Sequence, residues 1–336
     1  MIFIILILLV TNFWIFVNLK RLEVIFNIYD VPDNKLKVHS KKTPILGGLI
    51  LIINYSIYLI YQLMFSDHFL SVDKGFHDIK SYLSLLILIF GFFILGFYDD
   101  KKKLSPKNKL FLSIIITLIS LLLNKDLVIN FFSFSFFPNK IFLGNYSIFF
   151  SIFCVILLIN ALNFYDGING QSCIFFLIVF LFLFLKSEMN FFYLLSIVLI
   201  FFVLLLNLSN KLFLGDGGIF LLSAILSASL IYEHNIEKNI IYVDEIFFLL
   251  FLPGIDLIRL TISRSFNKKN PFLGDRKHIH HLLIGKYSLL NTNLILLILS
   301  IIPILLFSFF QLNFYLVLCA FLTIYFFLIL NLKFYD

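Results

Sequence analysis

The sequence predicts an all-α, polytopic integral membrane protein, and three observations carry the prediction. Of its 336 residues, 61% are hydrophobic and only 13% charged, with a mean hydropathy of +1.03, a balance outside the range of soluble domains. Apolar runs of bilayer-crossing length recur along the whole chain. The cations collect on every second connection between those runs, so the net charge of +7 reports membrane orientation and argues against nucleic-acid binding.

A crossing needs roughly 20 apolar residues. Eleven runs qualify, near residues 2–19, 45–64, 81–98, 108–124, 146–163, 171–187, 190–207, 217–233, 244–262, 291–309 and 312–331. The expectation is about eleven transmembrane helices, or ten if the last two runs, parted only by Phe309 to Asn313, count as one. Lys20 and Arg21 follow the first run instead of preceding it, the reverse of a cleaved signal peptide. A retained first helix with a periplasmic N-terminus is therefore expected. From that start, loops 20–44, 99–109, 160–170, 211–218 and 263–290 share one face. Of the 26 cations only Lys74, Lys80, Lys125, Lys140, Lys186 and Lys238 fall on the other, and all four arginines lie on the first, which the positive-inside rule makes cytoplasmic.

Residues 127–144 carry Val128-Ile129-Asn130-Phe131 and Ile141-Phe142-Leu143 around Pro138-Asn139. β-formers about a turn dipeptide predict a small external β-hairpin. Cys154, Cys173 and Cys319 sit in apolar runs without CxxC spacing, so they read as lone thiols. No repeat or soluble linker divides the chain, and residues 1–336 are expected to form one transmembrane domain whose chemistry resides in the cytoplasmic loops.

Those loops hold the informative polar residues. The first carries Lys37 and His39 between Pro32 and Pro44, followed by Gly47-Gly48; it is either a phosphate contact or an ordinary positive-inside loop. The second begins with Asp99-Asp100 and runs into Lys101, Lys102 and Lys103. Adjacent carboxylates at a membrane boundary are either a solvated stop signal or half of a divalent-cation site. The third reads Asn160-Ala161-Leu162-Asn163-Phe164-Tyr165-Asp166-Gly167-Ile168-Asn169-Gly170, and amides with a carboxylate at the end of an apolar helix are expensive unless they act. The fourth, Gly215-Asp216-Gly217-Gly218, offers one carboxylate among bare amides, suited to phosphate or to simple helix capping. The fifth contains Asp256, Arg259, Arg264, Pro271-Phe272, Asp275-Arg276-Lys277 and His278-Ile279-His280-His281. Three histidines beside two cations make a diphosphate clamp, with zinc the weaker reading because no cysteine partner is near.

In their order and on that face, these loops resemble the polyprenyl-phosphate N-acetylhexosamine-1-phosphate transferase family, glycosyltransferase family 4, over nearly the whole chain. The elements Pro271-Phe272, Asp275-Arg276 and His278-Ile279-His280-His281 are similar to the bacterial undecaprenyl-phosphate N-acetylglucosaminyl-1-phosphate transferase branch; the phospho-muramoyl-pentapeptide branch typically shows three consecutive histidines. The resemblance implies transfer of an N-acetylaminosugar 1-phosphate from a UDP-sugar to polyprenyl phosphate at the bacterial inner membrane, starting a cell-envelope glycan such as O-antigen. It implies Mg2+, with Mn2+ as the substitute, held by Asp216 and Asn169; Asp99, Asp100 and Asp166 as catalytic carboxylates; and Lys37, His39, Lys103, Asn163, Asn169, Arg276, His278, His280 and His281 as substrate-binding residues. Nucleic acid is no partner, and the resemblance leaves room for a homodimer. Two departures stand out: Asn169 replaces an aspartate common in bacterial members, and Ile219 a common serine. A donor bearing a 6-deoxy sugar is the alternative within this chemistry. A transporter is the alternative outside it, against which stands the gathering of polar residues at one face rather than at mid-depth.

Overall fold

A backbone inside hydrocarbon must satisfy its hydrogen bonds internally, and all eleven apolar runs are accordingly helical. The computed structural model describes residues 2–32, 42–64, 79–187, 190–236, 241–268 and 276–333. In chain order the helices are α1 (Ile2–Val17), α2 (Leu19–Phe26), α3 (Gly47–Met64), α4 (Ile79–Lys101), α5 (Pro106–Leu123), α6 (Ser147–Tyr165) and α7 (Gln171–Lys186). They continue with α8 (Asn190–Leu208), α9 (Gly215–Asn235), α10 (Val243–Leu249), α11 (Phe251–Phe266), α12 (Ile279–Lys286), α13 (Leu289–Ile304) and α14 (Phe314–Lys333). Among the described residues eight helices are long and apolar enough to cross a bilayer, or ten if each of two bent pairs counts as one crossing. Helix α7, at 16 residues, is shorter than a full crossing. The protein is thus a multi-pass membrane protein, and its last two apolar runs are separate helices parted by a π-turn at Leu305–Phe309.

The two bends were not expected from the apolar runs. Helices α1 and α2 meet at 72°, and α10 and α11 at 74°. Pro253 accounts for the second bend. Its ring would press on the carbonyl four residues back, at Leu249, if the helix ran on; instead the helix breaks at Leu250 and Pro253 falls in the first turn of α11, where its missing N–H does no harm.

Helix α9 is the axis of the bundle. Nearly every residue from Gly217 to His234 is buried, and α3, α4 and α6 pack around it. Its first turn fits because its neighbours lack side chains there. A Cβ on Gly96 of α4 would overlap the Asp216 carbonyl, and one on Gly48 of α3 would overlap the Gly218 amide. The chain entering α3 pairs with the chain entering α9: Phe213 N donates to Pro44 O at 2.9 Å, and Gly47 N to Phe213 O at 2.9 Å.

Two small antiparallel ribbons complete the fold. β1 (Tyr29–Asp30) pairs with β2 (Thr43–Pro44) beside the first turn of α9. β3 (Phe131–Phe134) pairs with β4 (Phe137–Phe142), forming the hairpin expected near 127–144. Cys154, Cys173 and Cys319 are free thiols.

Candidate active site

Five chain segments meet beside the first turn of α9 around a cavity of ≈ 650 Å³, within the roughly 300–1,000 Å³ usual for small-ligand sites. It is lined by Tyr29 and Asp30 from β1, Asp100 and Lys103 from the end of α4, Asp166 and Asn169 from the α6–α7 turn, Asn210 and Asp216 from the entry to α9, and His281 from α12. Their origins span residues 29 to 281, so the cavity is a product of tertiary packing.

The two carboxylates that end α4 have different tasks. Asp100 caps α9 from outside it: Oδ1 accepts from Asp216 N and Oδ2 from Gly217 N, each at 3.0 Å. A carboxylate accepting two amides at a helix N-terminus is held by hydrogen bonds and by the helix dipole. Asp99 lies behind the cavity wall with no exposure. Its Oδ1 accepts from Leu104 N at 2.6 Å, and its Oδ2 stands 2.5 Å from Lys109 Nζ and 3.7 Å from Lys103 Nζ. The same two ammoniums reach Asp216 Oδ2, Lys109 at 3.6 Å and Lys103 at 3.9 Å. Two carboxylates and two ammoniums therefore share one cluster, with Asp216 the partner that faces the cavity.

Asp166 follows the last residue of α6 as its C-cap. Burial pushes its carboxyl up to about 6, and Asp100 and Asp30 add in the same direction. The turn that carries it is pinned from two sides. Gly170 N donates to Asn207 Oδ1 at 2.6 Å, and Asn169 Nδ2 donates to Asn210 Oδ1 at 2.6 Å. Asn293 Nδ2 donates to Asn169 O at 2.9 Å. With its nitrogen committed to Asn210, Asn169 presents Oδ1 as its uncommitted oxygen.

The three histidines part company. His281 lines the cavity. His280 is buried and packs directly on Gly167, where any Cβ would run into the ring. Its Nδ1 lies 3.2 Å from Gln171 Nε2, an obligate donor, so this nitrogen accepts. Burial holds the His280 ring well below its usual pKa, with His281 and His278 acting in the same direction, which keeps it neutral. His278, the N-cap of α12, is buried, with Nδ1 2.8 Å from Asp256 Oδ2.

Of the residues expected at the site, Asp100, Lys103, Asp166, Asn169, Asp216 and His281 line the cavity, and Asp99, Asn163, Arg276, His278 and His280 do not. Asp99 reaches it through Lys103, and His280 through Gly167. Asn163 is half-buried on α6, and Arg276 is exposed before α12. Lys37 and His39 lie outside the described residues. Lys109, Asn207, Asn210 and Asp30 take part without having been expected; Lys109 was counted only as a positive-inside charge, although it stands one turn into α5, opposite Asp99.

Among the described residues no three His, Cys, Asp or Glu side chains converge at metal-ligand spacing. The cavity's donors are nevertheless hard oxygens, the carboxylates of Asp216, Asp100 and Asp166 and the Asn169 amide, a set that suits a hard divalent cation sharing its shell with water and phosphate. Thiolates are lacking, and two of the three imidazoles are turned to protein partners, which disfavours zinc.

The chain is similar to known proteins over most of its length. Residues 82–234 match the family described as Glycosyl transferase family 4, a stretch that runs from α4 through α9 and holds Asp99, Asp100, Asp166 and Asp216. The undecaprenyl-phosphate alpha-N-acetylglucosaminyl 1-phosphate transferase of Salmonella typhi is 24% identical over 290 residues, covering 82% of this chain and 74% of the relative. The probable undecaprenyl-phosphate N-acetylglucosaminyl 1-phosphate transferase of Bacillus subtilis is 25% identical over 275 residues, covering 79% and 72%. The phospho-N-acetylmuramoyl-pentapeptide-transferase of Dictyoglomus thermophilum is 26% identical over 299 residues, covering 83% and 86%. The multi-pass helical fold and the carboxylate-lined cavity built from the matched stretch go with this similarity to glycosyl transferase family 4, and together they support a membrane-embedded transferase.

Proposed function

We propose that this protein transfers N-acetylglucosamine 1-phosphate from UDP-N-acetylglucosamine to undecaprenyl phosphate, on the cytoplasmic side of a bacterial inner membrane. The observation that carries the reading is the meeting of Asp100, Lys103, Asp166, Asp216 and His281 on one cavity. A site that must accept two anionic phosphates together with a cation needs both signs of charge within a few ångströms, as the cluster of Asp99, Asp216, Lys103 and Lys109 has.

In the reaction, an oxygen of the lipid phosphate attacks the β-phosphorus of the UDP-sugar. The bond from that phosphorus to the bridging oxygen breaks, and UMP leaves with that oxygen and its electron pair. The lipid keeps a diphosphate joined to the sugar. No proton has to be removed, because a phosphate monoester is largely ionised at neutral pH. The chain's task is positioning and electrostatics. Asp216, with Asn169 Oδ1, would hold Mg2+, which when bound neutralises charge on the diphosphate. Lys103 is placed to meet a phosphate, and His281 the diphosphate or sugar. Asp100 fixes the first turn of α9 and hence Asp216. Asp99 keeps Lys109 and Lys103 close to Asp216.

Purified protein, undecaprenyl phosphate and Mg2+ given a panel of UDP-N-acetylaminosugars should release UMP and yield a lipid whose mass identifies the sugar. No UMP above background with any donor overturns the reading. The Dictyoglomus relative supports a second one, a UDP-muramoyl-pentapeptide donor, and the same panel separates that donor and 6-deoxy sugars from N-acetylglucosamine.

A further inference from the structure

Helix α12 with its N-cap His278 carries both the histidine that lines the cavity and the two that do not, and an ion network beneath it joins three helices. Asp256 of α11 is 2% exposed. It accepts from Arg259 Nη2 at 2.7 Å, from Tyr325 Oη of α14 at 2.7 Å and from His278 Nδ1 at 2.8 Å. Its oxygens also lie 3.3 and 3.4 Å from Ile279 N, the first amide of α12. Arg259 donates through Nε to Tyr325 Oη at 2.8 Å and through Nη2 to Lys277 O at 2.6 Å. Arg264 lies 3.4 Å from His278 Nε2. A guanidinium only donates, so Nε2 accepts and Nδ1 carries the proton given to Asp256.

The link from this network to the cavity is short. The His278 and His280 rings stack with centroids 5.4 Å apart and planes 10° apart. His280 in turn rests on Gly167, next to Asp166. We infer that Asp256, with Arg259 and Tyr325, is a positioning centre for the transferase site: it fixes the start and rotation of α12, turning His281 into the cavity and seating His280 against the Asp166 turn. His278 is the link in this device rather than a substrate ligand. The inference rests on the transferase reading for its kinetic consequence and on geometry alone for the orientation of the histidines.

A buried carboxylate with four donors from three chain segments is more than a helix cap needs. One amide or hydroxyl satisfies a cap; joining α11, α14 and the start of α12 is what sets a rotation. A displacement of about 1 Å at a reacting group costs on the order of 10²-fold in rate, so a small rotation of α12 is enough to be read kinetically.

Tyr325→Phe removes one hydroxyl from the network, and Asp256→Asn keeps the shape while removing the charge. Both are to be purified beside wild type, with thermal unfolding, turnover, KM for the UDP-sugar, and diethyl pyrocarbonate labelling of each histidine mapped by mass. In wild type His281 should label and His278 should not. In either variant that folds, His278 should become reactive, and kcat should fall by about 10- to 100-fold with KM changed by less than about threefold. Wild-type kcat in a variant whose unfolding midpoint has dropped would mean that the network only stabilises the fold, and equal labelling of His278 and His281 in wild type would overturn the assigned orientation. If wild type itself turns over no donor, the transferase reading fails, while the labelling pattern still decides the orientation of α12.

Discussion

The two ends of α9 contain the same kinds of residue and treat them in opposite ways. At its last turn, His234 has Nδ1 2.9 Å from Ile241 O and Nε2 3.1 Å from Phe131 O. Asn235 Nδ2 donates to the carbonyls of Asp126 and Val128 at 2.7 and 2.8 Å. Ser135 donates to Asp244 through both its amide and its hydroxyl, and Glu245 holds Lys186 at 2.8 Å. His234, Asn235 and Asp244 reach the chain at Phe131, Asp126, Val128 and Ser135, and what they secure is the β3–β4 hairpin and the segment leading into it. At the first turn, roughly 30 Å away by helix length, Asp216 faces a cavity and its side chain meets the ammoniums of Lys103 and Lys109. Buried polar groups answered by the backbone build structure. A carboxylate that faces an open volume and meets two ammoniums there, as Asp216 does, is arranged for a ligand.

That contrast can be broken experimentally, and the largest effect belongs to the open end. Asp216→Ala should lower UMP release beyond about 10³-fold, the upper range for losing one preorganised electrostatic group, while the protein stays monodisperse in detergent; near-wild-type turnover would remove Asp216 from the metal site. Gly167→Ala should follow, at about 10²-fold, because the new methyl displaces the His280 ring; a compensating His280→Ala in the same chain should recover part of that loss. The third effect is on pH. With the Asp166 carboxyl raised to about 6, turnover should rise about tenfold from pH 5 to a plateau above 7, and Asp166→Asn should flatten that limb. Because the folded value lies above the ordinary 3.8, the folded state holds the proton more tightly between those values. Stability therefore declines as pH rises from about 4 to 6. Asp166→Asn should raise the unfolding midpoint above pH 6 and leave it unchanged below 4; the reverse pattern would refute the shift. The smallest effect is at the closed end. Asp244→Ala should cost about 1–3 kcal/mol of stability through the two donors it strands at Ser135, with turnover within about twofold of wild type.

Much of this contrast was readable before any coordinates. Hydrophobic length marked the long helices though not α2 or α12, the Pro138-Asn139 turn marked the hairpin, and the loops on the cation-rich face are the ones that meet at the cavity. These features are local in sequence, or follow from the alternation of sides that a membrane imposes. What stayed hidden was which partner each polar side chain would take. Asp99 and Asp100 are neighbours with identical chemistry, yet one turns inward to Lys109 and the other reaches across to α9; only the rotation of α4 against α5 and α9 decides this. The histidine cluster looked like one clamp, but His278 is the N-cap of α12 with extended backbone, so it escapes the helical stagger that sets His280 and His281 and goes to Asp256 instead. Asn207, in the last turn of α8, and Asn210, just beyond it, gave no signal because an asparagine at a helix end is ordinary, and their value lies in meeting a turn 37 and 41 residues away. The bend at Leu250 was within reach, since Pro253 was visible inside an apolar run.

The cap that Asp100 places on α9 also bears on how the molecule is made. The carboxylate and the amides it receives are separated by 116 and 117 residues, with α5 to α8 between them. A chain emerging from the ribosome inserts α4 long before α9 exists, so the Asp99-Asp100 pair must wait at the membrane boundary, answered by water and the nearby lysines. The cavity is complete only when the first turn of α9 lies against Gly48 and Gly96, and its last wall is added with α12. The cavity is thus a late product of biogenesis, and a protein truncated before α9 would carry Asp30, Asp99, Asp100 and Asp166 without the Asp216 turn that they surround.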